Sequence, residues 1–219
     1  RYQPAQYPVP GETQPKEAYN ANYYGGVSRV VISPKQLAKD TQGQRGLDSS
    51  AVVSSNHVLL GTDRNCGGGN GAGGWATCEE SSAPGHGYAF LTLPSDTSLV
   101  TPRRLDSWGR FHREAIATDP RSGVVYMTED RSDGLFYRHV PKNPSHPTGP
   151  GRLEALRIKN LPHTDPYPFN TAGKTAKRVW TNGQKWVADW VPIDDPHAEN
   201  ETCRSQGTAK GATQFNRGE

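Results

Sequence analysis

Cysteine is scarce in this chain. There are three, Cys66, Cys78 and Cys203, and no two stand in a C-x-x-C pair, which argues against a structural zinc site. The odd number leaves at least one thiol free, while Cys78–Cys203 remains open as a disulfide. Large aliphatics are also few: Leu, Ile, Val and Phe together number 35 of 219 residues. No apolar run approaches the ~18 residues a membrane-spanning helix needs. Charge of one sign is missing too. Lys and Arg number 25 against 22 for Asp and Glu, a net charge of +3, without a basic run or an RNP-like aromatic pattern. That excludes a nucleic-acid footprint. The chain opens on Arg1 rather than Met and closes on Glu219 directly after a motif-like run. It is expected to be part of a longer protein.

What is present is glycine and proline, 24 and 18 residues, with apolar residues gathered in strand-sized runs. Low net charge and such clustering indicate an all-β chain rich in loops with a thin core, of the kind that metals stabilise. Residues 1–26 form a Pro- and Tyr-rich N-terminal arm, extended or loop-like. Strands are expected at 27–32, 51–61, 86–93, 135–140 and 153–158, and a short helical turn capped by Ser33 at 34–38. The chain as a whole, 1–219, is read as one unit with that arm at its start. Three Trp residues within 179–192 are expected to pack in a core, and Asn182-Gly183 fits a tight turn.

The clearest local structure lies in 109–138. Ala115–Thr118 and Val124–Thr128 read as strands joined by Asp119-Pro120-Arg121-Ser122-Gly123. Pro120 presets a turn, and Gly123 suits the left-handed residue that closes it. Thr118 is expected opposite Val124 and Ile116 opposite Tyr126, which brings Glu114 within about one residue of Glu129. With Asp130 and Asp133 close behind, four carboxylates gather at the end away from the turn. Either a hard cation sits among them, or Arg110, Arg113, Arg131 and Arg138 neutralise them as a salt-bridge network.

A second stretch, RNCGGGNGAGGWATCEE at 64–80, opens on Cys66 and closes on Glu79-Glu80. Its glycines lack the Gly-Lys-Ser/Thr of a phosphate-binding P-loop. They suit a flexible surface loop, or a tight loop whose bracketing thiolate and carboxylates ligate a transition metal.

Taken with HGYAFLTL (86–93), the hairpin GRFHREAIATDPRSGVVYMTEDRSDGLFYRHVP (109–141) and the terminal GATQFNRGE (211–219), this stretch resembles the PhoX-type alkaline phosphatases of bacteria. The resemblance implies a six-bladed β-propeller, only part of which the chain covers; either another chain supplies the missing blades or the chain is an incomplete copy. It implies Fe(III) and Ca2+ as cofactors, a phosphoester substrate, and export to the periplasm or beyond. By motif, Cys66 resembles the iron-ligating cysteine. Glu79 and Glu80 resemble the C-E-E metal ligands, Glu114 the carboxylate of H-E-A, and Glu129, Asp130 and Asp133 the metal carboxylates around T-E-D-R. In R-x-E, Arg217 resembles an arginine that clamps substrate phosphate and Glu219 a metal ligand. Clustered carboxylates with one thiolate agree with that cofactor set, since such ions act as Lewis acids on an ester. Two alternatives stand beside it: a non-catalytic, calcium-stabilised propeller fragment with a structural or assembly role, and a calcium-dependent propeller hydrolase of the lactonase sort, which has no need of Cys66 or Arg217.

Overall fold

The computed structural model describes residues 16–33, 51–161, 183–199 and 202–219. As expected from the composition, the fold is all-β. Among the described residues eleven strands run in chain order: β1 Gly25–Ile32, β2 Val52–Thr62, β3 Asn65–Gly71, β4 Gly74–Glu79, β5 Ala89–Thr92, β6 Arg103–Arg104, β7 Arg113–Thr118, β8 Val125–Glu129, β9 Phe136–Pro141, β10 Gly151–Ile158 and β11 Ala188–Pro192. One α-helix among the described residues, α1, covers Cys203–Ala209. The strands form a two-stranded sheet β1-β2, a four-stranded sheet β3-β4-β5-β6 and a five-stranded sheet β11-β10-β9-β8-β7. None closes on itself.

The chain divides into two compact units, one of residues 1–63 and 92–102, the other of 64–91 and 103–219. The first is built on the β1–β2 pair, whose register slips at three places. Tyr19 N–H donates to Leu60 O (2.9 Å), so part of the N-terminal arm lies along β2. The expected turn at 34–38, the segment 162–178 and Asn182 lie outside the described residues.

In the second unit the five-stranded sheet is an antiparallel meander with period-two burial. Val125, Met127 and Glu129 of β8, and Tyr137 and His139 of β9, point to the buried side. There they join Trp108, Phe111, Leu135, Leu153, Ala155 and Ile193 in the core. The other face carries Tyr126, Phe136 and Trp190, with ring centroids 6.1–6.2 Å apart, and the Arg138 guanidinium 4.2 Å above Trp190. Trp190 thus packs among aromatics on the face away from the core, half-buried rather than in the core as expected, and Trp180 lies outside the described residues.

The central hairpin forms, with one change of register. Gly123 takes φ 68 and donates to Asp119 O (2.8 Å), while Asp119 N–H donates to Val124 O (2.9 Å). Val124 therefore closes the turn, and Thr118 pairs with Val125, Ala117 with Tyr126 and Ile116 with Met127. Arg113 stands opposite Glu129, after an irregularity in the ladder between Arg113 and Ile116.

Two further expectations are corrected. The glycine stretch is no surface loop: it is strand β3, hairpinned to β4. Its glycines serve close approach, because a Cβ on Gly67 would lie 2.7 Å from Glu114 O and one on Gly69 2.3 Å from Ile116 O. Main chain of β3 thus lies directly on main chain of β7, where a side chain has no room. The open Cys78–Cys203 pairing is resolved the other way: all three cysteines are free, with Cys78 and Cys203 buried.

Gly69→Ala is expected to destabilise the protein by ~2–3 kcal/mol, since backbone rather than a movable side chain blocks the added methyl. Gly73→Ala, with open space but a left-handed φ of 80, should cost only ~1 kcal/mol. Denaturant midpoints of the two variants check the order.

Candidate metal centre

The β3–β7 contact fixes where the first two site residues meet. Cys66 on β3 and Glu114 on β7 face each other, and the thiol donates to Glu114 Oε1 at 3.1 Å. Glu80 follows β4 directly, and its N–H donates to Arg64 O (3.0 Å). One ligand atom from each of Cys66, Glu80 and Glu114 lies within 4.8 Å of the other two. The hydrogen bond to Glu114 pushes the Cys66 thiol up to about 11, with burial adding to it. Burial, then the negative charges of Asp130 and Glu114, holds the Glu80 carboxyl above its ordinary value. The neighbouring carboxylates add to both shifts, after the hydrogen bond at Cys66 and burial at Glu80.

Asp130 and His112 border this group, tied by the Asp130 N–H to His112 O bond of 3.1 Å. Asp130 is 6% exposed. Its Oδ2 accepts from Arg217 Nη2 at 2.8 Å, while Oδ1 is buried with no hydrogen-bond partner. His112 Nδ1, also buried without a hydrogen bond, lies 3.6 Å from Glu80 Oε1. Burial, then Arg131, Arg64 and Arg204, pulls the His112 imidazole below its ordinary value, so it stays neutral at physiological pH.

Arg217 arrives from the far end of the chain. Phe215 forms a β-bridge with Gly134, and Arg217 N–H donates to Arg131 O (2.9 Å). The terminal run is thereby laid along the 129–134 loop. Arg217 holds a left-handed φ of 54, and its side chain is 62% exposed.

The other acidic residues singled out from the sequence lie elsewhere. Glu79 points to the opposite side from Glu80, where it accepts from His86 Nδ1 (2.7 Å), Gly87 N (2.8 Å) and Tyr88 N (3.1 Å). Glu129 is buried, accepting from Leu135 N and Tyr137 Oη on Oε2, each at 3.0 Å, and from Arg204 Nη1 on Oε1, also at 3.0 Å. Asp133 pairs with Arg204 Nε at 3.3 Å. Glu219 is exposed. The hairpin's four carboxylates therefore separate: Glu114 and Asp130 border the Cys66 group, whereas Glu129 and Asp133 bind Arg204 of α1.

Of the arginines proposed as neutralisers, Arg110 donates to Ser82 O and Ala83 O. Arg113 donates to Trp108 O and Gly109 O, and Arg138 pairs with Glu154. The arginines that do meet these carboxylates, Arg204 and Arg217, are distant in sequence. His112 and Arg204 carried no individual signal, although His112 sits inside the recognised F-H-R-E-A run.

A soft thiol, hard carboxylates and an orphaned buried carboxylate oxygen together fit bound cations. The family model for alkaline phosphatase PhoX matches residues 12–219. The chain belongs to the PhoX family. No curated protein and no solved structure matches it. PhoX membership brings phosphatase chemistry and metal dependence, and the matched span includes every residue of the Cys66 group. No helix among the described residues is long and apolar enough to cross a membrane.

In cation-stripped protein, Cys66 is the exposed thiol and Cys78 and Cys203 are buried. Because its pKa is raised, Cys66 carries its proton throughout the neutral range. A thiol reagent at pH 8 should modify one cysteine, at least roughly tenfold more slowly than a free thiol. Glu114→Gln removes the neighbouring charge and should accelerate the reaction several-fold. Mass-spectrometric labelling rates check both.

Proposed function

We propose that the protein hydrolyses phosphate esters at a centre of Fe(III) and Ca2+ held by Cys66, Glu80, Glu114 and Asp130. The observation that carries this reading is the convergence of Cys66 and Glu80, from the two ends of the β3–β4 hairpin, with Glu114 of β7 within 4.8 Å. The thiol favours a transition metal, and the carboxylates suit calcium as well. Such ions supply Lewis acidity at a phosphoryl oxygen. Overall, water adds at phosphorus, the ester P–O bond breaks, and the alcohol leaves with a proton.

The chain's own residues account for binding and charge. Cys66 gives up the proton now shared with Glu114 when it becomes a ligand. Arg217 presents its exposed guanidinium to the phosphate oxygens and holds their charge by paired hydrogen bonds. Neutral His112 lines the side of Glu80 without adding a positive charge that would compete with a cation. Glu79, Glu129 and Asp133, whose partners are protein groups, keep the surrounding strands and α1 in place.

The five-stranded meander supports reading the second unit as part of a β-propeller. The resemblance alone supports a periplasmic or extracellular location.

Elemental analysis of the purified protein, with p-nitrophenyl phosphate turnover before and after chelation, tests the proposal. Iron and calcium should both be present, and turnover should disappear on chelation and return on reloading. Cys66→Ser and Glu114→Gln should each lower turnover by at least ~10²-fold, as loss of a metal-ligating group does. Calcium without iron, and no turnover, would overturn it.

A further inference from the structure

We propose that Asp130 is a positioning residue that couples cation binding to anion binding: one carboxylate oxygen faces the cation, and the other holds Arg217. The inference rests on the phosphatase reading, but concerns how two parts of the site communicate.

The geometry is specific to this side chain. Asp130 is buried, and its two oxygens have different surroundings. Oδ2 is bonded to Arg217 Nη2 at 2.8 Å, and Oδ1 is buried with no partner. A buried carboxylate oxygen without a donor is unfavourable, and a cation would satisfy it. The main chain fixes both ends of the link. Asp130 N–H is bonded to His112 O, two residues before Glu114, and Arg217 N–H to Arg131 O, next to Asp130. Arg217 also holds a left-handed backbone, and its bond to Asp130 Oδ2 sets the direction of its guanidinium.

The electrostatic consequence follows from charge count. Without a cation, the Asp130 charge balances Arg217, and the pair offers an anion little net attraction. A cation at Oδ1 takes up the carboxylate's charge, while Oδ2 still accepts the hydrogen bond. Arg217 then keeps its orientation and faces the solvent with its charge uncompensated. Phosphate binding therefore strengthens when the cation site fills. By linkage, phosphate strengthens cation binding by the same factor. An empty site binds phosphate more weakly.

Calorimetric titration with inorganic phosphate, on chelator-stripped and on calcium-loaded protein, tests this. Wild type should bind phosphate at least ~10-fold more tightly when loaded, within the usual range of coupling between sites. Asp130→Asn leaves Arg217 uncompensated at all times. It should tighten phosphate binding to the stripped protein and shrink the loaded-to-stripped ratio to under ~3-fold. An aspartate that merely supported the fold would, when replaced, weaken binding in both states. Arg217→Ala should reduce the coupling to what direct cation–phosphate contact leaves, and adding Asp130→Asn to it should change that little further, because the two act as one unit.

An equal wild-type affinity in the two states overturns the proposal without any variant. So does an Asp130→Asn protein that keeps the wild-type ratio or binds more weakly when stripped. Turnover of p-nitrophenyl phosphate without coupling would overturn this inference and leave the phosphatase reading standing. Absence of both turnover and phosphate binding would overturn the two together.

Discussion

The close approach of β3 to β7 governs this molecule. Gly67 and Gly69 lie so near the carbonyls of Glu114 and Ile116 that no Cβ fits between them. Cys66 and Glu114 meet only because the two main chains touch, and Glu80 joins them because β4 returns along β3 and ends beside Arg64. Each glycine gives up side-chain packing and adds conformational entropy to the unfolded chain. That loss is accepted here to bring a thiol and two carboxylates into one small space. The rest of the second unit, from the aromatic face of the meander to the buried Arg113 and Trp108, braces β7 against that contact.

Acidic residues in this protein fall into two kinds, separated by whether the protein itself satisfies them. Glu79 and Glu129 are buried and take three donors each from neighbouring protein groups. Glu80, Glu114 and Asp130 share a region with the Cys66 thiol, and Asp130 keeps an oxygen without a donor. A buried carboxylate with full hydrogen bonding is satisfied by the protein itself, whereas crowded and incompletely satisfied ones suit a cation. Arg204 and Arg217 follow the same division. Arg204 is bound into the protein by Glu129 and Asp133, and Arg217 is held at one end while its guanidinium stays exposed.

The parts of this arrangement that depend on local chemistry were legible in the sequence. The Asp119–Gly123 turn, the alternation of β8 and β9 and the meander follow from neighbouring residues alone. The glycine stretch did not yield its strand, because what selects glycine there is β7, more than forty residues away. Helix α1 was missed as well. It is short and lacks an apolar stripe, and Gly207 within it lies so close to Leu135 that an added Cβ would come within 2.6 Å of its Cδ1. Motif resemblance singled out Glu79 and Glu129 alongside Cys66, Glu80, Glu114 and Asp130; the structure groups Cys66, Glu80 and Glu114 and surrounds Glu79 and Glu129 with protein donors. Successive strand residues face opposite sides, and adjacent carboxylates such as Glu79 and Glu80 differ in role for that reason alone. The true partners of the acidic groups, Arg204 and Arg217, come from chain 70 and more residues distant, beyond the reach of spacing arguments.

The central claim is that Cys66 and the carboxylates from β7 and the end of β4 bind one transition metal. X-ray absorption at the iron edge of metal-loaded protein tests it most directly. The account predicts a sulfur scatterer in the first shell that disappears in Cys66→Ser, leaving oxygen ligands. A first shell of light atoms alone in the wild-type protein, unchanged in Cys66→Ser, would contradict it.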